Sequence, residues 1–479
     1  MNPIPNPEDF GVSLTNGFLA SGPPLAILSD PYYAPWEQTM KGLQGLILSA
    51  RLHEVVDRLP ILSLDRLVNE AEWQRAYSIL AFIAHAYIWG GKKPRERVPA
   101  PITIPFLAAC KHLELPPVAT YAGLVLWNWK PIFANENIDT ISNLDMLDTF
   151  TGSLDEKWFY IVSVAIEAHG ASLIPLMLNA TAAANKNHTG VVILALRQFA
   201  ERIDSIIAML ARMYDYCDPH VFYHRLRPFL AGSKNMAEAG LPNGVIFDNG
   251  GPMNKQRYVR YAGGSNAQSS LIQFFDVVLG VTHRPTGTKV DAAPLLPGAK
   301  KPAAAKKGFH EDQRSYMPGP HARFLEAVIK CSSIREFVQS HEEDTNLRVA
   351  YDACLAMLSA FRSEHMKIVT RYIIVKSQEK KNQESKKAEE KKVIVPLRPR
   401  TAPIGQERKD LTGTGGTSLI PFLRQARDET GEIAIDGWTR ALLSRGSRRQ
   451  QPDTPAVLKV QGLAEVWGVG NGEGGLCVQ

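Results

Sequence analysis

His365 stands in the stretch DTNLRVAYDACLAMLSAFRSEHMKIVTRYIIVK, residues 344–376, among Leu358, Phe361, Ile368, Val369 and Tyr372. These lie three, four or seven residues from it, so a helix places them all on its face. Two chemistries suit an imidazole on such an apolar face. It can be a core side chain satisfied by a nearby carbonyl. It can also be the axial ligand of a haem, whose porphyrin needs apolar walls and one ring nitrogen.

Other residues offer weaker patterns. His220 and His224 are four apart and could share a metal, but no Glu follows His220 and no third ligand is evident, so zinc is not assigned. The run Gly413–Thr417 resembles a phosphate loop but lacks the GK[ST] ending. Ser163 lies one turn after Phe159 in KWFYIVSVAIEA, where a lone serine either bonds the carbonyl four residues back or serves a site. Gly263-Gly264-Ser265-Asn266 permits close backbone approach. Arg227 is either a surface arginine or a fork for a carboxylate. His85 reads as a core or interface residue, and Cys354 as a small core residue.

The elements that must carry these residues are helices. From Pro35 to about Gly90 the pattern is helical, with Ala76, Ile79, Leu80, Ile83 and Tyr87 at steps of three and four. GGKKPRERVPAPITIP then breaks it, which marks a small N-terminal helical domain, residues 1–100. Further helices are expected near 156–184, 189–216, 219–230, 269–281 and 321–338, and strand signals are few. The class is all-α, with a larger domain over 101–427 and a tail of unknown role over 428–479. Residues 284–308, rich in Pro, Ala and Lys, and 376–410, opening on a mixed-charge run, read as disordered inserts. Asp218-Pro219 opens a helix well. Within it Phe222 and Arg227 are five apart, about 140° around an ideal helix, so they share a pocket only if the helix ends or bends near Pro228.

Composition excludes several classes. The chain has 479 residues, 45% apolar and 21% charged, and a net charge of +6 concentrated in the Lys-rich inserts, which argues weakly for nucleic acid. Five scattered cysteines, odd in number and without a CxxC pair, argue against a disulfide framework, a zinc finger and covalent haem attachment. The N-terminus lacks a signal pattern, and no apolar run reads as a membrane span of ~20 residues, so a cytoplasmic location is expected.

FRSEHMKIVTRYI, preceded by YDACLAMLSAF and followed by GTGGTSLIPFL, resembles the proximal helix and lid loop of the indoleamine 2,3-dioxygenase family. YAGGSNAQSSLIQFFDVVLGV, DQRSYMPGPHARFLEAV, HLELPPVATYAGLVLWNW and PYYAPWE extend the likeness, in order, over most of residues 10–375 and again near 411. It suggests a fungal-type member with extra inserts and a C-terminal tail. The resemblance implies haem b held by His365, with Arg362 and Asp276 supporting a propionate. It places Tyr121, Phe159, Ser163, Phe222, Arg227, Gly264, Ser265 and Thr414 around the substrate, Thr414 on a mobile lid. Leu124 stands where the mammalian pattern has cysteine, and Asn266 where members often have alanine.

The implied reaction opens the indole ring of L-tryptophan with O2 to N-formylkynurenine, in a monomer, with an electron donor to keep iron ferrous. Both oxygen atoms enter the product, so no protein residue need act as acid or base. Two alternatives stay open: tryptophan 2,3-dioxygenase, which places a histidine where Ser163 lies, and a haem-binding sensor of the same family with little turnover.

Overall fold

A computed structural model describes residues 3–285, 308–380 and 419–437, with isolated positions 382, 439, 440 and 443. Helices dominate. The strands are short: a three-stranded sheet joins Arg97–Val98 parallel to Val245–Phe247 and the latter antiparallel to Tyr258–Val259. A second pair joins Trp129–Pro131 to Leu144–Met146.

The central helix of the N-terminal part is Glu70–Trp89, which Asn69 caps by accepting from the Glu72 N–H. Its residues from Arg75 to Ile88 are buried on every side, as expected of a helix that is apolar all round. His85 is the core residue the sequence suggests: Nδ1 lies 2.7 Å from the Phe229 carbonyl, and Nε2 accepts from the Ala119 N–H at 2.8 Å. One main hydrophobic core gathers residues from Val12 to Ala434. Cys354 is buried in it, with its thiol donating to the Leu196 carbonyl.

Several expected boundaries shift. The stretch 156–184 forms two helices, Leu154–Gly170 and Leu173–Ala184. Together they are long and apolar enough to cross a membrane, contrary to the sequence reading, but most of their surface is buried inside the protein. The stretch 321–338 is also two helices, Gly319–Cys331 and Ile334–Ser340. The mixed-charge run begins as helix, because Thr345–Val369 continues through a π turn over Thr370–Val375 as far as Lys380. Neither the start of the first insert nor the C-terminal end of the large domain falls at a break. Arg284, the first residue of the first expected insert, is held by Glu429 and Glu432. The boundary after 427 cuts the helix Leu419–Glu432, whose Glu429 and Thr430 are buried.

Long-range packing places the His365 helix, Thr345–Val369, against Thr189–Ala211 on one side and Leu419–Glu432 on the other. Asp344 caps it by accepting from the Leu347 N–H at 3.0 Å. The Ser163 helix, Leu154–Gly170, packs against Thr189–Ala211 as well, so Thr189–Ala211 supports both.

Candidate functional site

A cavity opens among these helices, lined mainly by apolar side chains. The His365 helix contributes Phe361, Arg362, His365, Ile368 and Val369, and Leu154–Gly170 contributes Phe159, Ser163 and Ile166. Leu419, Phe422, Leu423 and Ala426 enter from the C-terminal helix at steps of three and four. Tyr121, Leu124, Phe222, Arg227, Gly264, Ser265 and Asn266 complete the candidates. Of the residues expected around the substrate, only Thr414 lies outside the described residues, as does the rest of the Gly413–Thr417 run.

Three π turns occur among the described residues, and all three border this cavity: Ala122–Leu126, Phe222–Leu226 and Thr370–Val375. Such turns widen a helix by one residue and often sit at functional sites. The second brings Phe222 and Arg227 together, since it moves their side chains onto one face before Pro228 is reached. The expected bend near Pro228 is therefore a π turn one step earlier. Phe222 packs on Phe159 with ring centroids 5.0 Å apart, and edge-on against Tyr372 at 5.7 Å. Tyr372 is anchored by donating to the Cys217 and Met213 carbonyls. The Arg227 guanidinium lies over the Tyr223 ring at 5.4 Å, and burial pulls its pKa below the usual range.

Ser163 donates to the Phe159 carbonyl at 3.3 Å, so it fulfils the ordinary helical role and lines the cavity too. Tyr121 donates its hydroxyl to Glu167 Oε1 at 3.0 Å, and Ser269 donates to the same oxygen at 2.6 Å. Burial raises the Glu167 carboxyl to about 7, against the two hydroxyls that stabilise its anion. The close approach at the glycine turn is made by the protein itself. A Cβ on Gly263 would meet the Leu230 carbonyl at 2.1 Å, and one on Gly264 would meet Leu124 at 2.6 Å.

His365 makes no hydrogen bond within the described residues, and part of its ring is open to the cavity. Burial, aided by the Arg362 charge, lowers its pKa to about 4. It is a neutral imidazole with a free lone pair, the form a metal needs. Arg362, one turn away, donates to both oxygens of Asp276 at 2.7 and 2.8 Å, and to Thr430 at 2.6 Å. Apolar walls, an unengaged imidazole and a nearby guanidinium fit a haem. His220 and His224 lie together on the exposed side of their helix, and no third ligand joins them among the described residues.

The Arg362–Asp276 pair is the centre of a larger network. His283 bridges Asp276 (3.1 Å) and Glu429 (2.7 Å), and Arg284 binds Glu429 and Glu432. Burial opposes charge on His283, but Asp276 and Glu429 outweigh it and raise its pKa. Against burial, Arg362 and then His283 hold Asp276 below the usual carboxylate range, and His283 does the same for Glu429. His310 stacks on His283 with centroids 4.1 Å apart and lines the cavity. Sequence reading missed Glu167, His283, His310 and Glu429. Glu167 alone left a signal, a carboxylate one turn after Ser163 on an apolar face. The others flank the inserts, where no periodicity places them.

A neutral imidazole offered to an apolar cavity in a mainly helical protein fits a haem held by a histidine. The Indoleamine 2,3-dioxygenase family profile matches residues 6–433, and the chain belongs to that family. It is 38% identical over 445 residues to an indoleamine 2,3-dioxygenase of Saccharomyces cerevisiae, covering 90% of this chain and 94% of that one. The indoleamine 2,3-dioxygenase qulI of Penicillium citrinum is 38% identical over 429 residues, 88% of this chain and 87% of its own. The 6-hydroxytryptophan 2,3-dioxygenase fscD of Fusarium equiseti is 36% identical over 429 residues, 89% and 97% of the two chains. The chain is a dioxygenase of this type, and the match to residue 433 takes in the whole C-terminal helix Leu419–Glu432, beyond the expected boundary at 427.

Proposed function

We propose that the chain binds haem b and opens the indole ring of L-tryptophan, and of related indoleamines, between C2 and C3 to give N-formylkynurenine. The observation that carries this reading is that His365 shares one apolar cavity with Phe159, Phe222, Ser163 and Arg227. When bound, the haem supplies the iron that activates O2. The protein's own residues do the rest. His365 holds the group through its neutral ring nitrogen, and Arg362, fixed by Asp276 and Thr430, faces it with positive charge. Phe159 and Phe222 wall the indole. Arg227 pairs with the amino-acid carboxylate, for which its planar fork is suited. The apolar lining excludes water, so reactants are oriented in a dry site.

A reductant that keeps the iron ferrous, a monomeric state and a cytoplasmic location complete the proposal, with no nucleic-acid or membrane partner. Its test is to load the protein with haem, add L-tryptophan, ascorbate and methylene blue, and follow N-formylkynurenine absorbance. Formation of that product with turnover supports the reading. Haem uptake without tryptophan-dependent product would favour a sensor instead.

A further inference from the structure

His310 is a second imidazole in the cavity wall, and the reaction as derived gives it no task. It opens the short helix Phe309–Arg314. Both of its ring nitrogens are cut off from solvent, and neither has a hydrogen-bond partner among the described residues. The ring is not free to swing away. One face stacks on His283, at 4.1 Å and 22°, and Phe422 packs against it at 5.1 Å. A buried donor and acceptor held without partners, at the edge of a cavity, call for a polar group from the ligand.

The surroundings define that group's charge. Arg362, Arg314 and His283 all act on His310 as positive neighbours. Asp276 is already bound by Arg362 and His283, and His283 is also held by Glu429, so the positive charge left over is that of Arg314, whose Nε donates to the neutral Gln273. His310 itself is kept well below its usual pKa, chiefly by burial and then by His283, so it is neutral and carries one N–H to donate. An N–H beside spare positive charge suits an anionic acceptor.

A metal ion is the competing occupant, since Asp276, His283 and His310 present ligand atoms within 4.8 Å of one another. The geometry excludes it. Both His283 nitrogens are taken by carboxylates, and two nearly parallel stacked rings cannot converge their in-plane lone pairs on one ion at about 2.1 Å.

We propose that His310 donates a hydrogen bond to a propionate carboxylate of the haem, beside Arg362. The inference rests on the haem reading above, in which the carboxylates of the macrocycle are its only anionic groups. The substrate carboxylate is the other source of the same chemistry, and the test separates the two.

The full-length chain and its His310→Leu and His310→Gln variants are each loaded with haem b and with haem dimethyl ester, and haem release to excess apomyoglobin is timed. His310→Leu should release haem b roughly tenfold faster than wild type, the scale of one hydrogen bond to a charged group. With the ester, which has no carboxylate, wild type and His310→Leu should release at the same rate. His310→Gln, which keeps an N–H, should stay near the wild-type rate. Thermal unfolding of the haem-free proteins should show His310→Leu no less stable than wild type, because two unpartnered nitrogens are gone. Equal acceleration with both haems would make His310 a packing residue and overturn the proposal. So would unchanged release of haem b, or weakened tryptophan binding with haem release untouched, which would assign the contact to the substrate. A wild-type protein that takes up no haem sinks the haem reading itself, and is seen before any variant is compared.

Discussion

The backbone N–H of Arg227 donates to the carbonyl of Phe222, five residues earlier. That single bond puts an aromatic wall and a guanidinium on one side of a helix that would otherwise hold them about 140° apart. It follows that adding one residue to the turn should separate them, whereas removing one would only return it to an α turn with the pair four apart on one face. Inserting an alanine after His224, which is exposed, turns the downstream helix by about 100° relative to Phe222. We expect kcat/KM for tryptophan to collapse while haem content and far-UV circular dichroism stay near wild type. Full activity in the insertion variant would mean that the register of this turn is dispensable for substrate placement.

Arg227→Leu removes the carboxylate partner without touching the backbone. A desolvated charge pair lost in this way costs about 2–5 kcal/mol, which lowers kcat/KM for tryptophan by roughly thirty-fold or more. Tryptamine, which has no carboxylate, should distinguish the two proteins only weakly. Equal losses for both substrates would assign Arg227 to the fold.

His365→Ala should fold and fail to retain haem. The protein has 12 histidines, but His310, the other one in the cavity wall, is fixed between His283 and Phe422. A variant with a normal Soret band and histidine-ligated five-coordinate iron would show that the ligand lies elsewhere.

The His283 bridge predicts a stability that depends on pH. His283 has a raised pKa in the folded protein, so its contribution is complete below the unfolded value of about 6.5 and fades as pH rises through the folded value. Asp276 and Glu429 have depressed values, so theirs is complete above about 4 and fades as pH falls through the folded values. Comparing wild type with His283→Leu, the gap in Tm should be widest near pH 5–6 and shrink on the alkaline side. A gap that is flat with pH would show that His283 packs without carrying charge.

Glu167 predicts the opposite slope. The folded protein keeps a proton on this carboxyl up to about pH 7, whereas the unfolded chain releases it near its ordinary 4.5. Stability should therefore fall with rising pH between those values, by up to about 3 kcal/mol. Glu167→Gln has no proton to lose, so at pH 8 it should be the more stable protein and at pH 4 the advantage should vanish. Parallel stability curves would place an ionised Glu167 in the folded state.

The sequence by itself determined the helical class, the family and most of the cavity wall. Those features are written in local spacing: apolar residues three and four apart around His365, an acidic N-cap before Pro219, and long motifs in order. The resemblance, not spacing, singled out Arg362 and Asp276, which meet at 2.7 Å across 86 residues of chain. Only the tertiary structure decided that three helices widen into π turns at the cavity, because that choice depends on what each turn packs against. It also decided that Glu429, beyond the apparent end of the domain, is buried against His283, a residue 146 positions earlier. The Glu167 cluster was equally illegible, since a carboxylate takes its protonation state from burial and from the Tyr121 and Ser269 hydroxyls, which lie far from it in the chain. Partners separated by inserts leave no period in the sequence, and their chemistry exists only once the chain has closed around them.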